Sequence, residues 1–380
     1  MLERLYLKLR VVNLKMMSDI LEKIEPGTLE ELMWCIKNYE KTNKHIIPIG
    51  QGSTLKTVSL TKSDDYVYVS SKNLNKVIEF AKDNLTITVQ AGATLKKIDE
   101  LINKNSLTLM RSPLMAGERT IGGIVAEGAF FNRDFSQSIL GLKVILPNGD
   151  LIKTGGKTIK NVSGYDLRSL FFGSRGTLGF LVEVTLKLQP VKPAAELIAI
   201  KVHPDDVSTV LMNILPYRYY ITHLLIENVS LENEEKGEYV NILLFYEGSV
   251  EAVEFLHKFI LDKMIGNKFL KTITKTITDR KEIQNTINKL PANESQFAEY
   301  RVLDEIELFK NCGFKNEKFI FDIKAKYLRI FNDTSKAEIE VSGNAAKVLK
   351  HYLFNDVFLQ IKKKIDPKMI FAPYLVKIVN

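Results

Sequence analysis

The chain is poor in the residues that build covalent frameworks and metal centres. Its 380 residues include two cysteines, Cys35 and Cys312, and five histidines. Two thiols exclude a disulfide scaffold, a CxxC redox pair and the four-thiolate ligation of an iron–sulfur cluster. His203, His223, His257 and His351 stand far apart, without the spacing of a ligand set, and no metal is expected. Long apolar runs are missing too. Glu3, Arg4, Lys8, Arg10 and Lys15 interrupt the amino terminus, which argues against a signal peptide or a spanning helix and for a cytoplasmic chain. Met16 and Met17 leave the start codon open. No block of one charge sign occurs: the excess of +8 is scattered among apolar residues, as on a solvated surface or one that docks an acidic partner. Nothing resembles a zinc finger or an aromatic RNA-binding signature, so no nucleic-acid partner is expected. Peripheral membrane association stays open.

What is present is a 45% hydrophobic chain, long enough for two domains, with small residues gathered into three loops before residue 193. The first follows a strand at His45 to Ile49 and reads Gly50-Gln51-Gly52-Ser53-Thr54, a stretch whose N–H groups suit a phosphate. A dinucleotide fingerprint would need glycine where Leu55 stands. A Walker A reading of Gly155-Gly156-Lys157-Thr158 would need glycine at Leu151. Both readings fail. The second loop, Ser112 to Ala126, places Thr120 ahead of Gly122-Gly123, which fits either an anion site at a helix start or a close helix–sheet contact. The third runs from Lys160 to Pro190: a short helix over Asp166 to Phe172, then Gly173, Gly176 and Gly179, then an alternating strand to Leu188. Those glycines imply positive φ, something packed on bare main chain, or a tight turn into the strand.

Elsewhere Thr28 with Glu31, and Thr94, cap helices. Tyr66 to Ser70 and Leu85 to Gln90 read as strands, and Asn148-Gly149 closes a hairpin between Ser138 to Pro147 and Leu151 to Thr154. From Glu196 the glycines thin out. Strands at Leu197 to Val202, Tyr219 to Ile226 and Tyr239 to Tyr246 alternate with helices at Asp205 to Leu215 and Val250 to Met264, which is a separate α+β domain. A last helix covers His351 to Ile365.

The three loops and the hairpin together resemble the flavin-binding domain of the vanillyl-alcohol oxidase superfamily. The likeness is most specific in Lys160-Asn161, Gly164-Tyr165-Asp166-Leu167 and Gly173-Ser174-Arg175-Gly176-Thr177-Leu178-Gly179. A weaker likeness, in Ile361 to Pro367, is to the carboxy-terminal return of lactate and glycolate dehydrogenases. Within the superfamily the chain is most similar to the FAD-binding subunit of glycolate oxidase and the D-lactate dehydrogenase group. The resemblance implies an α+β fold in which a tail at 1–24 precedes a two-subdomain, PCMH-type FAD-binding domain at 25–193. An α+β cap for substrate at 194–345 and a segment at 346–380 that returns to the first domain would follow.

The resemblance further implies that Pro48, Ile49, Gly50, Gln51, Gly52, Ser53 and Thr54 wrap the FAD pyrophosphate. Leu114, Ala116, Gly117, Arg119, Thr120, Gly122, Gly123, Ala126 and Gly128 would line the flavin and ribityl side, and Arg175, Gly176, Gly179, Phe180 and Leu181 would present backbone to it. Gln51, Arg175 and Tyr374 depart from the family's pattern. No histidine or cysteine lies between His45 and Cys312 except His203, His223 and His257, all beyond the FAD-binding domain, so the FAD is expected to be non-covalent. The implied activity is oxidation of a small 2-hydroxy acid, with electrons passed to a separate iron–sulfur subunit and a sister flavin subunit alongside. The alternative is an FAD-carrying, non-catalytic assembly or relay subunit of such a complex. Arg111, Arg119, Arg133, Lys160 and Arg168 are cations in or near the loops, and none is assigned a catalytic role.

Overall fold

The computed structural model describes residues 14–16, 19–42, 44–52, 66–111, 117–128, 133–156, 166–228, 239–265, 273–288, 290, 298–302, 318–323, 327–331, 346–348 and 356–371. They fall into two compact units. The first takes the described residues up to Arg111, from Gly117 to Pro190, and from 356 onward; the second takes those from Val191 to Val348.

The first unit opens with β1 (Leu14–Met16), β2 (Asp19–Ile24), α1 (Leu29–Thr42), β3 (His45–Ile49) and β4 (Tyr66–Ser70). The strands lie in the order β1-β2-β4-β3, with β2, β4 and β3 mutually parallel. The stretch expected as a tail therefore contributes an interior strand. Its sequence is charged, and it becomes a strand by pairing with β4, with Ile24 buried in the core. Helix α1 starts at a capping box: Glu31 N–H donates to Thr28 Oγ1 at 3.2 Å, and Gly27 N–H donates to the Glu31 carboxylate at 2.7 Å. Its Leu32, Cys35, Ile36 and Tyr39 face the core. Burial pushes the Cys35 thiol up to about 12, so it behaves as a small apolar residue.

A second sheet follows in the same unit, built from β5 (Val77–Ala81), β6 (Thr86–Gln90), β8 (Ile139–Ile145), β9 (Leu151–Gly155) and β10 (Phe180–Lys187). It is antiparallel in the order β5-β6-β10-β8-β9. Between its strands stand α2 (Leu95–Asn103), β7 (Leu107–Thr108), α3 (Ile121–Glu127), α4 (Arg133–Ser138) and α5 (Arg168–Phe171); β11 (Gln189–Pro190) pairs with β7. The β8–β9 turn has Gly149 at φ +80°, as its Asn-Gly sequence predicts. Edge strand β5 carried no readable signal, being half-exposed along its length.

Among the described residues, the second unit is an antiparallel sheet of eight strands with helices. Its elements are β12 (Ala194–Val202), α6 (Pro204–Ile214), β13 (His223–Glu227), β14 (Val240–Gly248), α7 (Val250–Phe259), β15 (Ile273–Ile277), α8 (Arg280–Asn288), β16 (Ala298–Val302), β17 (Lys318–Asp322), β18 (Tyr327–Phe331) and β19 (Ala346–Val348). The strand order is β15-β12-β14-β13-β17-β18-β16-β19. Ile198, Ile200 and Val202 of β12 join Val207, Val210 and Leu211 of α6 in one core, while Ala195 and Leu197 join Ile283 and Ile287 of α8 in another. The expected strand over Tyr219 to Ile226 is shorter than read, because Leu215–Tyr220, with Pro216 in its first turn, forms a 3₁₀ turn instead. The last helix, α9 (Asp356–Ile365), belongs to the first unit.

Candidate functional site

Strands β3 and β4 run parallel from His45↔Tyr66 to Ile49↔Ser70, so the segments after them leave the sheet at one place. Ser71 N–H donates to the Ile49 carbonyl at 2.9 Å, and Ser70 Oγ donates to the Gly50 carbonyl at 3.1 Å, which fixes the turn after β3. A Cβ on Gly50 would lie 2.0 Å from Thr120 Oγ1, so only glycine lets the two segments approach. Thr120 caps α3, its Oγ1 accepting from Gly123 N–H at 3.3 Å. The run into α3 lies along the end of β6. Leu95 N–H donates to the Arg119 carbonyl at 3.0 Å, Ile121 N–H to Ala93 at 2.8 Å and Gly122 N–H to Ala91 at 2.8 Å. A side chain at 122 would meet Ala91 Cβ at 2.7 Å.

A third segment comes from the turn after α5. Gly173, Arg175 and Gly176 have φ of +77°, +52° and +74°. Gly173 N–H donates to the Val125 carbonyl at 3.0 Å and Arg175 N–H to the Ala126 carbonyl at 2.7 Å, which ties the turn to the end of α3. Gly176 packs on Pro48, and a Cβ there would lie 3.1 Å from Pro48 Cγ.

These segments converge on an open cleft lined by Pro48, Ile49, Gly50, Ser71, Ala91, Gly122, Gly123, Ala126, Gly176, Gly179, Phe180 and Leu181. Ten of the twelve are positions that the family resemblance implies for the cofactor. Ser71 and Ala91 are not, since each is an ordinary small residue just after a strand. The described wall is main chain, small aliphatic groups, the Phe180 ring and one hydroxyl, a surface that suits a flat, largely uncharged ring system held close to backbone.

The other predicted positions do not line this cleft. Gln51 is exposed and Gly52, at φ +79°, continues the turn past Gly50. Gly117 accepts from Lys96 N–H at 2.6 Å. The Arg119 guanidinium pairs with the Glu127 carboxylate, both largely buried. Thr120 caps α3, Gly128 packs on Gly173, and Arg175 anchors its turn by main chain. Ser53, Thr54, Leu114 and Ala116 lie outside the described residues, as does Lys160. Of the remaining cations, Arg168 donates through Nη1 to the Ile139 carbonyl at 2.7 Å and through Nε to Asp166 at 2.7 Å, holding that carboxyl below its ordinary value. Arg111 pairs with Asp99 at 2.7 Å, where burial nevertheless raises the carboxyl. Both serve the scaffold.

In the second unit, His203 Nδ1 accepts from Asp205 N–H at 3.3 Å at the start of α6, and His223 stacks on Phe245 with centroids 5.5 Å apart. His257 Nδ1 lies 3.0 Å from the buried Glu196 carboxylate, which also accepts from the Tyr246 hydroxyl. Burial first, then Glu196, push the Tyr246 hydroxyl up. Among the described residues, no three His, Cys, Asp or Glu side chains gather to hold a metal. No described helix is long and apolar enough to cross a membrane.

The fold is shared with alkyldihydroxyacetonephosphate synthase, at a TM-score of 0.68 and 15% identity over 93% of this chain and 76% of that one. The class is therefore a mixed helix-and-sheet fold of a known kind. Residues 23–155 match the FAD binding domain family, so the chain carries an FAD binding domain and FAD is its cofactor. It is 33% identical over 172 residues to the glycolate oxidase subunit of Bacillus subtilis, which is 44% of this chain and 36% of that protein. It is 33% identical over 182 residues to the mitochondrial D-lactate dehydrogenase [cytochrome] 1 of Saccharomyces cerevisiae, 46% of this chain and 30% of that one. A D-2-hydroxyglutarate dehydrogenase of Xanthomonas citri is 30% identical over 187 residues, 48% of this chain and 39% of that one. The similarity thus spans between 30% and 39% of each of these relatives' lengths.

Proposed function

We propose that the chain is an FAD-dependent oxidoreductase acting on a small 2-hydroxy acid such as glycolate, D-lactate or D-2-hydroxyglutarate. The observation that carries this reading is the convergence of Pro48 to Gly50, Gly122 and Gly123, and Gly176 to Leu181 on one small-residue cleft. Bound there, FAD supplies the hydride acceptor for the α-carbon of the acid. The chain's own part is to hold the ring system by close main-chain contact, with the Gly50 turn directed toward the pyrophosphate. Neither histidine nor cysteine belongs to the described wall, which favours a dissociable cofactor. Residues 25–193 and 346–380 are read as the FAD part and 194–345 as the cap that selects the acid. The electron acceptor we propose is a separate iron–sulfur subunit, with a sister flavin subunit in the same cytoplasmic complex; the two cysteines here are too few for the four-thiolate ligation of a cluster.

The test is anaerobic mixing of the FAD-loaded chain with each acid while the flavin's visible absorption is followed. Bleaching by at least one of the three is expected. A loaded chain that none of them bleaches would be a relay or assembly subunit, not the hydroxy-acid oxidoreductase.

A further inference from the structure

The carboxy-terminal return ties the two walls of the cleft together through one buried ion pair. Lys362 and Asp366, four residues apart at the end of α9, have no exposed surface. Lys362 Nζ donates to the Asp366 carboxylate, to the Thr177 carbonyl at 2.5 Å and to the Phe371 carbonyl at 2.8 Å, which uses all three ammonium hydrogens. Asp366 in turn accepts from Ile370 N–H and Phe371 N–H, both at 2.8 Å. Burial pushes the Lys362 ammonium down, and the Asp366 carboxylate opposes it.

The partners of this pair belong to different walls. Thr177 sits between Gly176 and Gly179, within the wall that ends at Leu181. Phe371 bridges Ile46 in parallel, Ile46 N–H donates to the Ile370 carbonyl at 2.6 Å, and His45 Nδ1 lies 2.8 Å from the Met369 carbonyl. Ile46 stands two residues before Pro48 on β3, whose end supplies another segment of the cleft. A buried ion pair is a poor source of stability, because desolvating two ions costs about as much as their attraction returns. What three directed donors add is a fixed distance between the segments they join.

We propose that Lys362 is a positioning residue for the flavin cleft, holding the Thr177 carbonyl so that the Gly176 to Leu181 wall keeps its spacing from Pro48 to Gly50. This rests on the reading of the cleft as the FAD site.

The test measures the FAD dissociation constant and the melting temperature of the apoprotein in parallel. Lys362→Met with Asp366→Leu removes both charges at similar volume, so the unit is expected to fold while FAD binds about tenfold more weakly. Ile102→Ala, a core change in α2, is expected to lower the melting temperature and leave the dissociation constant unchanged. Should the double variant not fold, Lys362→Met with Asp366→Asn, which also removes both charges but keeps an acceptor for Ile370 N–H, is expected to weaken FAD binding in the same direction. Wild-type affinity in either folded variant overturns the proposal and leaves the FAD reading intact. Failure of the unaltered chain to bind FAD overturns both.

Discussion

Replacing Lys362 by alanine is expected to lower the melting temperature of the first unit by about 10 °C. The change leaves Asp366 as a carboxylate with no exposed surface and no counter-charge. It also strips a donor from the Thr177 and Phe371 carbonyls. Breaking a buried pair by removing one partner costs about 3–5 kcal/mol, whereas removing both partners together is often close to neutral. The ordering is therefore the content of the prediction: Lys362→Ala should be far more damaging than the paired Lys362→Met, Asp366→Leu change. Calorimetry of the three proteins decides it, and equal losses in both variants would show that the pair is not a coupled, desolvated unit.

Gly128→Ala is expected to cost about 3–4 kcal/mol, from strain and overpacking of roughly equal size. Gly128 ends α3 at φ +57° and ψ −34°, a region that a residue with a Cβ resists. A Cβ there would also lie 2.4 Å from both Cα and N of Gly173, and backbone cannot rotate away as a side chain can. Gly173 opens the turn that becomes the third cleft segment, so the same change should weaken FAD binding. Gly27→Ala is the control, because its Cβ meets only the Glu31 side chain, at 3.5 Å. Thermal melts with FAD titrations of both variants check the contrast; a Gly128→Ala protein as stable as Gly27→Ala would mean that α3 and the turn do not press together as described.

Much of the cleft was legible because close backbone approach leaves a mark in sequence: glycine. Gly50, Gly122 and Gly176 stand where a side chain would strike Thr120, Ala91 or Pro48. The period of three in Gly173, Gly176 and Gly179 nevertheless hides two causes. Gly173 and Gly176 need positive φ, while Gly179 lacks it and is glycine because a Cβ would meet Val144 Cγ1 at 2.7 Å. Strands β3 and β4 were readable for a local reason, their runs of β-branched and aromatic residues. What escaped was non-local. Ser71 and Ala91 reach the cleft only through the register of β3 on β4 and the Gly122 contact with β6. Strand β2 looked like part of a tail because β4, the partner that ties it into the sheet, lies beyond α1 and β3. Lys362 and Asp366 have the spacing of a weak surface pair, and only packing against Thr177, 185 residues away, buries them.

If this small-residue cleft holds FAD, the stripped chain must take the cofactor back. The most direct measurement is uptake of FAD by the purified full-length chain after its cofactor has been stripped, followed by flavin fluorescence and by the absorption that survives gel filtration. Stoichiometric, saturable binding is expected, released as free FAD on denaturation and weakened by Gly128→Ala. A folded chain that stays colourless at saturating FAD, or whose affinity is indifferent to that change, would contradict it.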